Sequence, residues 1–148
     1  MPPGERADPY LDFRFQVEID GIVVAGFSEV SGLEIEVTTE EYEEGGRNDR
    51  VRELPGQVSH PHLELRKGLT ESRVLIDWMQ DVRTGLIERK TVFVFLLDTE
   101  GLPQWGWQFE GAYPVRYSGP ELRADRGDVA VETLELAHQG LSPMDIGG

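Results

Sequence analysis

The sequence predicts a mainly β domain, in which antiparallel strands form a sandwich or half-barrel with one α-helix. Three observations support this fold class. Apolar and polar residues alternate with a period of two in several segments, as in strands that bury one face. Turn signals separate these segments at short intervals. One stretch alone has the spacing of an amphipathic helix.

Eight segments are predicted as strands. In chain order they cover residues 13–19, 22–24, 33–39, 60–65, 92–97, 105–110, 113–117 and 129–138. Asp20-Gly21 is a preferred dipeptide of the type I′ turn, so the first two segments should form a hairpin. Leu54-Pro55-Gly56 is predicted as a further turn. The segment at 60–65 is predicted as an edge strand because Pro61 has no N–H to donate to a ladder. Residues from Gly140 onwards are expected to form a tail.

The helix is predicted over residues 71–84. Thr70 is a suitable N-cap, and Gly85 stands where a C-cap glycine belongs. The apolar face should cover the β core, and it comprises Val74, Leu75, Trp78, Met79 and Val82. The outward residues should be Arg73, Asp77, Gln80 and Arg83.

Composition restricts the function classes. A chain of 148 residues with 39% hydrophobic content suffices for one domain with one core. The formal net charge is −14, and no cluster of Lys and Arg stands clear of carboxylates, which argues against a nucleic acid partner. The absence of cysteine excludes disulfides, thiolate metal sites and cysteine nucleophiles. No apolar run is long enough for membrane insertion, and residues 1–10 contain no apolar core of a secretory signal.

The residue types that perform catalysis do not form a recognisable constellation in this sequence. His60 and His62 have a spacing that holds zinc when a third ligand is present, but two surface histidines beside a proline is the favoured interpretation. Ser28 and Ser31 lie in GFSEVSG, which is not the Gly-x-Ser-x-Gly elbow. We therefore predict a protein that is not an enzyme, with no catalytic residue, no metal ligand and no cofactor.

Residues 40–52 carry two runs of opposite charge separated by two glycines. The acidic run is Glu40, Glu41, Glu43 and Glu44, the glycines are Gly45 and Gly46, and the basic run is Arg47, Arg50 and Arg52. Ionised side chains leave water only when they are paired, so this segment should project from the domain. It is either a solvated hairpin or an arm that docks on another surface.

Segments along nearly the whole chain match one known family in the same order. They are DPYLDFRFQVEIDG at 8–21, GFSEVSGLEIEVTTEEYEEGG at 26–46, LPG at 54–56, the Lys67-Gly68 segment before the helix with Trp78, RK at 89–90, LLD at 96–98 and VETLELAHQGL at 131–141. Together they resemble the tail-tube proteins of contractile phage tails and contractile injection systems. The stretch at 58–62 departs from the polar or basic pattern that this family commonly has there.

The resemblance implies a structural subunit of an inner tube. Hexameric rings would stack into a hollow tube with a lumen for cargo, and the strands would continue around each ring as one large β-barrel. The implied partners are other copies of the chain, the surrounding sheath protein, and baseplate, spike and cap proteins. The implied setting is assembly in the cytoplasm, followed by residence in a virion tail or in a released or cytoplasmic injection particle. The alternative is a small acidic β-fold enzyme or ligand-binding module.

The implied single tail-tube domain covers residues 1–148, with a mobile arm at 1–12 and a projecting charged loop at 40–52. We expect that loop, with all nine charged and glycine residues named above, to be the ring-stacking element. Two strands are expected to supply the edges that join subunits within a ring, because closing six open sheets into one barrel removes exposed edges. Their edge residues are Phe13, Phe15, Val17, Ile19, Val129, Val131, Leu134 and Leu136.

Overall fold

The computed structural model describes residues 14–24, 26–43, 51–121 and 130–145, with the backbone alone at Glu43, Val51 and Arg52. Ten strands and one helix occur among these residues. They are β1 (Arg14–Ile19), β2 (Ile22–Val24), β3 (Phe27–Ser31), β4 (Glu36–Glu43), β5 (Val51–Ser59), β6 (Leu63–Gly68), α1 (Val74–Arg83), β7 (Lys90–Leu97), β8 (Pro103–Ser118), β9 (Val131–Ala137) and β10 (Gly140–Pro143).

Eight strands form the main antiparallel sheet. Their spatial order is β2-β1-β7-β8-β9-β6-β3, and β10 also pairs with β8. The 16-residue strand β8 connects the two halves of this sheet, because its first part pairs with β7 and β10 and its last part with β9. The sheet is not closed within the chain, which confirms the mainly β, half-barrel class with one helix.

The β1–β2 hairpin forms for the reason that the sequence indicates. Asp20 and Gly21 have φ angles of 54° and 82°, and a type I′ turn requires positive φ at both central residues. Ile19 and Ile22 pair directly beside this turn. The predicted hairpin is therefore confirmed.

The core lies on the inner face of the bent sheet, where alternate residues of each strand are buried. The fully buried apolar side chains are Val17, Leu63, Leu65, Leu75, Val92, Val94, Phe109, Ala112, Leu134 and Leu136. Helix α1 adds Leu75 and Trp78 to this core, and Val74, Met79 and Val82 are half-buried. The predicted outward residues of the helix are all exposed. No helix in the described part of the chain is long and apolar enough to span a membrane.

The predicted start of the helix is wrong. The helix begins at Val74, and Arg73 occupies the N-cap position without a capping side-chain bond. The Thr70 hydroxyl accepts a hydrogen bond from the Lys67 ammonium at 3.2 Å and another from the Ser72 backbone at 3.2 Å. Thr70 therefore fixes the segment that leads to the helix, and it is not free to cap it.

Several strand predictions are also corrected. Leu54-Pro55-Gly56 lies within β5, where Pro55 sits beside a register irregularity that tolerates a missing donor. Strand β6 begins after Pro61 and lies between β3 and β9, so it is not an edge. The two segments predicted at 105–110 and 113–117 form one strand, and residues from Gly140 form β10 instead of a tail. Strand β3 is an element that sequence patterns did not indicate.

Candidate assembly surfaces

Strands β4 and β5 form a separate two-stranded antiparallel sheet, which we call the arm (residues 36–43 and 51–59). None of the other described strands pairs with it. Two-stranded hairpins are marginally stable in water on their own. The arm overlaps residues 40–52, the segment that the charge pattern predicts to project, and its strands extend beyond them.

Both faces of the arm carry exposed apolar side chains. Val37 and Val58 are cross-strand partners, with 46% and 56% of their surface exposed, and Ile35 in the adjoining link is 54% exposed. Tyr42 and Leu54 lie on the opposite face, since Leu54 pairs with Glu40 and side chains alternate along a strand. Their exposed fractions are 50% and 44%. Clustered exposure of this kind marks an interaction surface.

The acidic residues of the arm add an unfavourable cross-strand pair. Glu41 lies directly opposite Glu53, and like charges in that position destabilise a ladder. Glu40 is exposed on the other face. The remaining residues of the predicted stacking loop, at positions 44–50, lie outside the described residues, as do the side chains of Glu43 and Arg52. Their role therefore stays a prediction.

The middle of the arm is fixed by one threonine and one glycine. The Thr38 hydroxyl accepts a hydrogen bond from the Gln57 backbone at 2.9 Å and donates to its carbonyl at 3.2 Å. A Cβ atom on Gly56 would lie 2.5 Å from the Thr38 hydroxyl oxygen. Only glycine permits this close approach, so the register irregularity of the arm is held at a defined position.

The predicted intra-ring edges are corrected by the sheet order. Strand β9 lies between β6 and β8, so Leu134 and Leu136 have paired strands on both sides. Val17 and Ile19 of β1 lie between β2 and β7. Hydrogen bonding on both sides leaves no free ladder there for a neighbouring subunit.

Of the remaining predicted edge residues, two are paired on one side only and two lie outside the described residues. Phe15 lies in the part of β1 that pairs with β7 alone, and Val131 pairs with β6 alone. Phe13 and Val129 lie outside the described residues. The described strands with one unpaired side at the ends of the sheet are β2 and β3.

A charged pair is buried in the core beside β8. Lys67 and Glu132 are 1% and 2% exposed, and the ammonium lies 3.1 Å from Glu132 Oε1 at angles unsuited to a hydrogen bond. The Tyr117 hydroxyl donates a 2.6 Å hydrogen bond to the other carboxylate oxygen. Burial, then this bond, raises the pKa of Tyr117 to about 12. This pair was not recognised from the sequence, where Lys67 marked only the end of a strand.

The three histidines do not form a metal site. Among the described residues, no group of three or more His, Asp or Glu side chains is placed to hold a metal ion. The exposed His62 donates from Nδ1 to Glu135 Oε2 at 2.7 Å. His60 packs against His138, with ring centroids 5.5 Å apart. Burial is the main cause that lowers the pKa of His138 below its usual value of 6.5.

An open apolar groove of about 320 Å³ lies between β2 and the segment before α1. It is lined by Ile22, Val23, Val24, Gly26, Thr70, Ser72 and Val74. Two hydroxyls are its polar side-chain groups, and no titratable side chain lines it. This lining lacks the convergent polar groups that the alternative enzyme or ligand-binding function requires.

Comparison with known proteins gives a consistent set of similarities. The family model described as T4-like virus tail tube protein gp19 matches residues 11–142. The chain is similar to a chain in the sheath–tube complex of PVC, an extracellular contractile injection system, in its extended state. The two are 27% identical with a TM-score of 0.83, and 93% of each chain is covered.

Two further solved structures are similar. A chain from the cap that terminates the tube of the anti-feeding prophage is 25% identical with a TM-score of 0.82, covering 95% of this chain and 93% of that one. Hcp1 from Flavobacterium johnsoniae is 19% identical with a TM-score of 0.61, covering 87% and 93%, and this likeness concerns the fold alone. No curated protein matches the chain by sequence.

Proposed function

Because this chain belongs to the T4-like virus tail tube protein family, we propose that it is the structural subunit of the inner tube of a contractile injection system or phage tail. Copies of the chain form hexameric rings, and the rings stack into a hollow tube through which cargo passes. The family and the solved relatives are structural, which supports a role in assembly rather than catalysis.

The particles that contain similar chains indicate the further partners. Solved relatives come from a sheath–tube complex, a tube cap and a baseplate. We accordingly propose that a sheath protein surrounds this tube and that cap and baseplate proteins, with a spike, contact its ends. The subunit is assembled in the cytoplasm, and the tube then belongs to a virion tail or to an injection particle.

The arm is the proposed ring-stacking element, and its exposed apolar pairs carry this proposal. A two-stranded sheet with apolar residues on both faces needs a covering surface, and copies of the same chain surround each subunit in a tube. Fully burying a Val, Leu or Ile side chain is worth about 1.5–3 kcal/mol. Covering the exposed half of Val37, Val58 or Leu54 would therefore contribute roughly 1 kcal/mol each.

The charges of the arm set its register on the neighbour. The facing carboxylates of Glu41 and Glu53 favour a cation from another copy. Exposed ion pairs contribute about 0–1 kcal/mol each, so the charges select an orientation more than they add strength. The basic residues Arg47, Arg50 and Arg52 are the proposed cations, and Glu40, Glu43, Glu44, Gly45 and Gly46 complete the stacking loop.

Contacts within a ring are proposed at the flanks of the main sheet. Strands β2 and β3 have unpaired sides, and the first half of β1 pairs with β7 alone. A neighbouring strand added there would use free backbone groups. These flanks replace the predicted edges at Val17, Ile19, Leu134 and Leu136, which are paired on both sides.

The test removes the apolar pair and, separately, reverses the charges of the arm. We expect Val37→Ser combined with Val58→Ser to give folded single rings or monomers that do not form tubes in electron micrographs. Reversal of Arg47, Arg50 and Arg52 to Glu should have the same effect. Leu102→Ser is the matched control, since Leu102 is an exposed apolar residue, 56% accessible, outside the arm. Normal tubes from both arm variants at physiological salt would exclude the arm as the stacking element.

A further inference from the structure

All three histidines of the chain meet where the arm joins the main sheet. His60 and His62 flank Pro61 in the link between β5 and β6, and His138 lies between β9 and β10. His138 Nε2 donates to the Pro61 carbonyl at 3.1 Å, and the rings of His60 and His138 are 5.5 Å apart. Phe109 meets the His138 ring edge-on at 4.9 Å. The root of the arm is thus attached to the sheet by imidazole contacts.

The link that precedes β4, which contains Gly32, packs against the link at residues 60–62. Gly32, just before β4, has a φ of 95°, and a Cβ atom on it would clash with the His62 carbonyl oxygen. The two chain segments that enter and leave the arm therefore touch at His62. A change in the position of the link at 60–62 is transmitted to both strands of the arm.

The imidazole of His138 is arranged for its neutral form. Nδ1 of the His60 ring and Nδ1 of the His138 ring are buried and have no hydrogen-bond partner. Because Nε2 of His138 carries the hydrogen that bonds to Pro61, its Nδ1 is the unprotonated nitrogen. A proton added there would place a positive charge on a buried nitrogen beside His60, and the backbone hydrogen bond with Gly140 offsets this cost only in part.

The charged groups near this cluster are three carboxylates and one guanidinium. Glu135 is bound to His62 at 2.7 Å, and its cross-strand partners are Glu64 and Arg116. Glu110 pairs with Gly140, next to the link that holds His138. Burial lowers the pKa of His138, the charges of His60 and His62 lower it further, and backbone hydrogen bonds to Pro61 and Gly140 oppose them.

We propose that His138, packed against His60, forms an acid-sensitive latch: in its neutral form it holds the arm root on the main sheet, and its protonation releases it. The consequence for the tube rests on the proposed stacking role of the arm, because a released arm stacks poorly. Acid below the usual titration range of histidine would then favour separate rings or subunits over tubes.

The sign and size of the effect follow from linkage. A His whose folded-state pKa is depressed contributes its full stabilisation above the unfolded value, near 6.5, and loses it as the pH falls below that value. At pH 5.5 a released histidine is about ten parts in eleven protonated. His138 therefore shifts the equilibrium towards the open arm between pH 7.5 and 5.5, by at most about tenfold.

Hydrogen exchange of isolated subunits at pH 7.5 and 5.5 tests the latch. After correction for intrinsic exchange, we expect amides of residues 36–43 and 53–62 to open more often at pH 5.5, by up to about tenfold. Amides of the central strand β7 should not change in the same way. Equal opening of the arm at both pH values would overturn the proposal.

Two variants separate the latch from general acid effects. His138→Gln keeps an N–H donor but does not titrate, so the pH dependence of arm opening should fall to less than twofold. His62→Gln is the matched control, because His62 is exposed and its charge is the smallest cause that lowers the pKa of His138, so most of the dependence should remain. A full tenfold dependence in His138→Gln would contradict the latch.

If His138→Gln fails to fold, a measurement on the unaltered protein still tests the latch. Nuclear magnetic resonance titration of the His138 ring should give a pKa below 6.5, and a value at or above 6.5 would also contradict the latch. These experiments use single subunits. The stacking proposal is tested separately: it fails if the arm variants still assemble into tubes at pH 7.5.

Discussion

Replacing Lys67 with Met tests the charged pair in the core. The Lys67 ammonium lies 3.1 Å from Glu132 Oε1 and also donates to the Gly68 carbonyl at 3.1 Å and to the Thr70 hydroxyl at 3.2 Å. Methionine has an unbranched side chain of similar length to that of lysine, but it carries no charge. Glu132 then remains 2% exposed, with Tyr117 as its hydrogen-bond donor.

The expected loss is large because an unpaired buried carboxylate remains. Removing one partner of a buried ion pair typically costs about 3–5 kcal/mol, against a total stability of about 5–15 kcal/mol for a domain. Adding Glu132→Gln removes the second charge and keeps an acceptor for Tyr117. The double variant should therefore be about 2 kcal/mol more stable than Lys67→Met alone.

Urea unfolding of isolated subunits at pH 7, followed by tryptophan fluorescence, measures these differences. Arg66→Met is the matched control, because Arg66 is an exposed neighbour on β6 that lies 3.7 Å from Glu29. Its loss should cost only about 0–1 kcal/mol. If Lys67→Met costs no more than this control, or if the two core substitutions are additive, the buried pair does not act as described.

Two further predictions concern the packed helix and the half-buried phenol of Tyr117. Trp78→Ala should lower the free energy of unfolding by about 3–5 kcal/mol in the same urea experiments. Trp78 is 4% exposed, and its ring nitrogen donates to the Glu88 carbonyl at 3.2 Å. A loss below about 1 kcal/mol would contradict the assignment of this residue to the core. Stability should also fall as the pH rises from 10 to 12, because the unfolded chain releases the Tyr117 proton near its usual pKa of 10.0 and the folded chain near 12. Tyr117→Phe should remove this component, and superimposable pH curves for the two proteins would show that Tyr117 does not titrate as expected.

Sequence patterns correctly predicted the elements whose conformation depends on residues close together in the chain. The β1–β2 hairpin follows from Asp20-Gly21, and the apolar run at 92–97 lies within β7, whose residues alternate between buried and half-buried. The apolar stripe of α1 was predicted from spacing, and its buried members are Leu75 and Trp78. In each case, residues a few positions apart in the sequence determine the conformation.

Predictions failed where partners distant in sequence decide the structure. Strand β6 is central because β3 and β9 pair with it, and nothing within residues 60–68 indicates those neighbours. Thr70 has the properties of an N-cap, yet the buried Lys67 ammonium uses its hydroxyl. A buried cation without acceptors costs more than a missing cap, so the tertiary requirement prevails.

The arm shows why a charge pattern alone gave an incomplete account of the assembly surface. Val37 and Val58 are separated by 20 intervening residues, so their pairing becomes visible only when both strands are placed. The same register sets Glu41 against Glu53. Like charges opposed across the ladder weaken a free hairpin, and an exposed apolar pair marks a surface that a partner can cover. An apolar surface that carries cations would answer both features. The stability of the arm therefore depends on a neighbouring surface, which we assign to another copy of the chain.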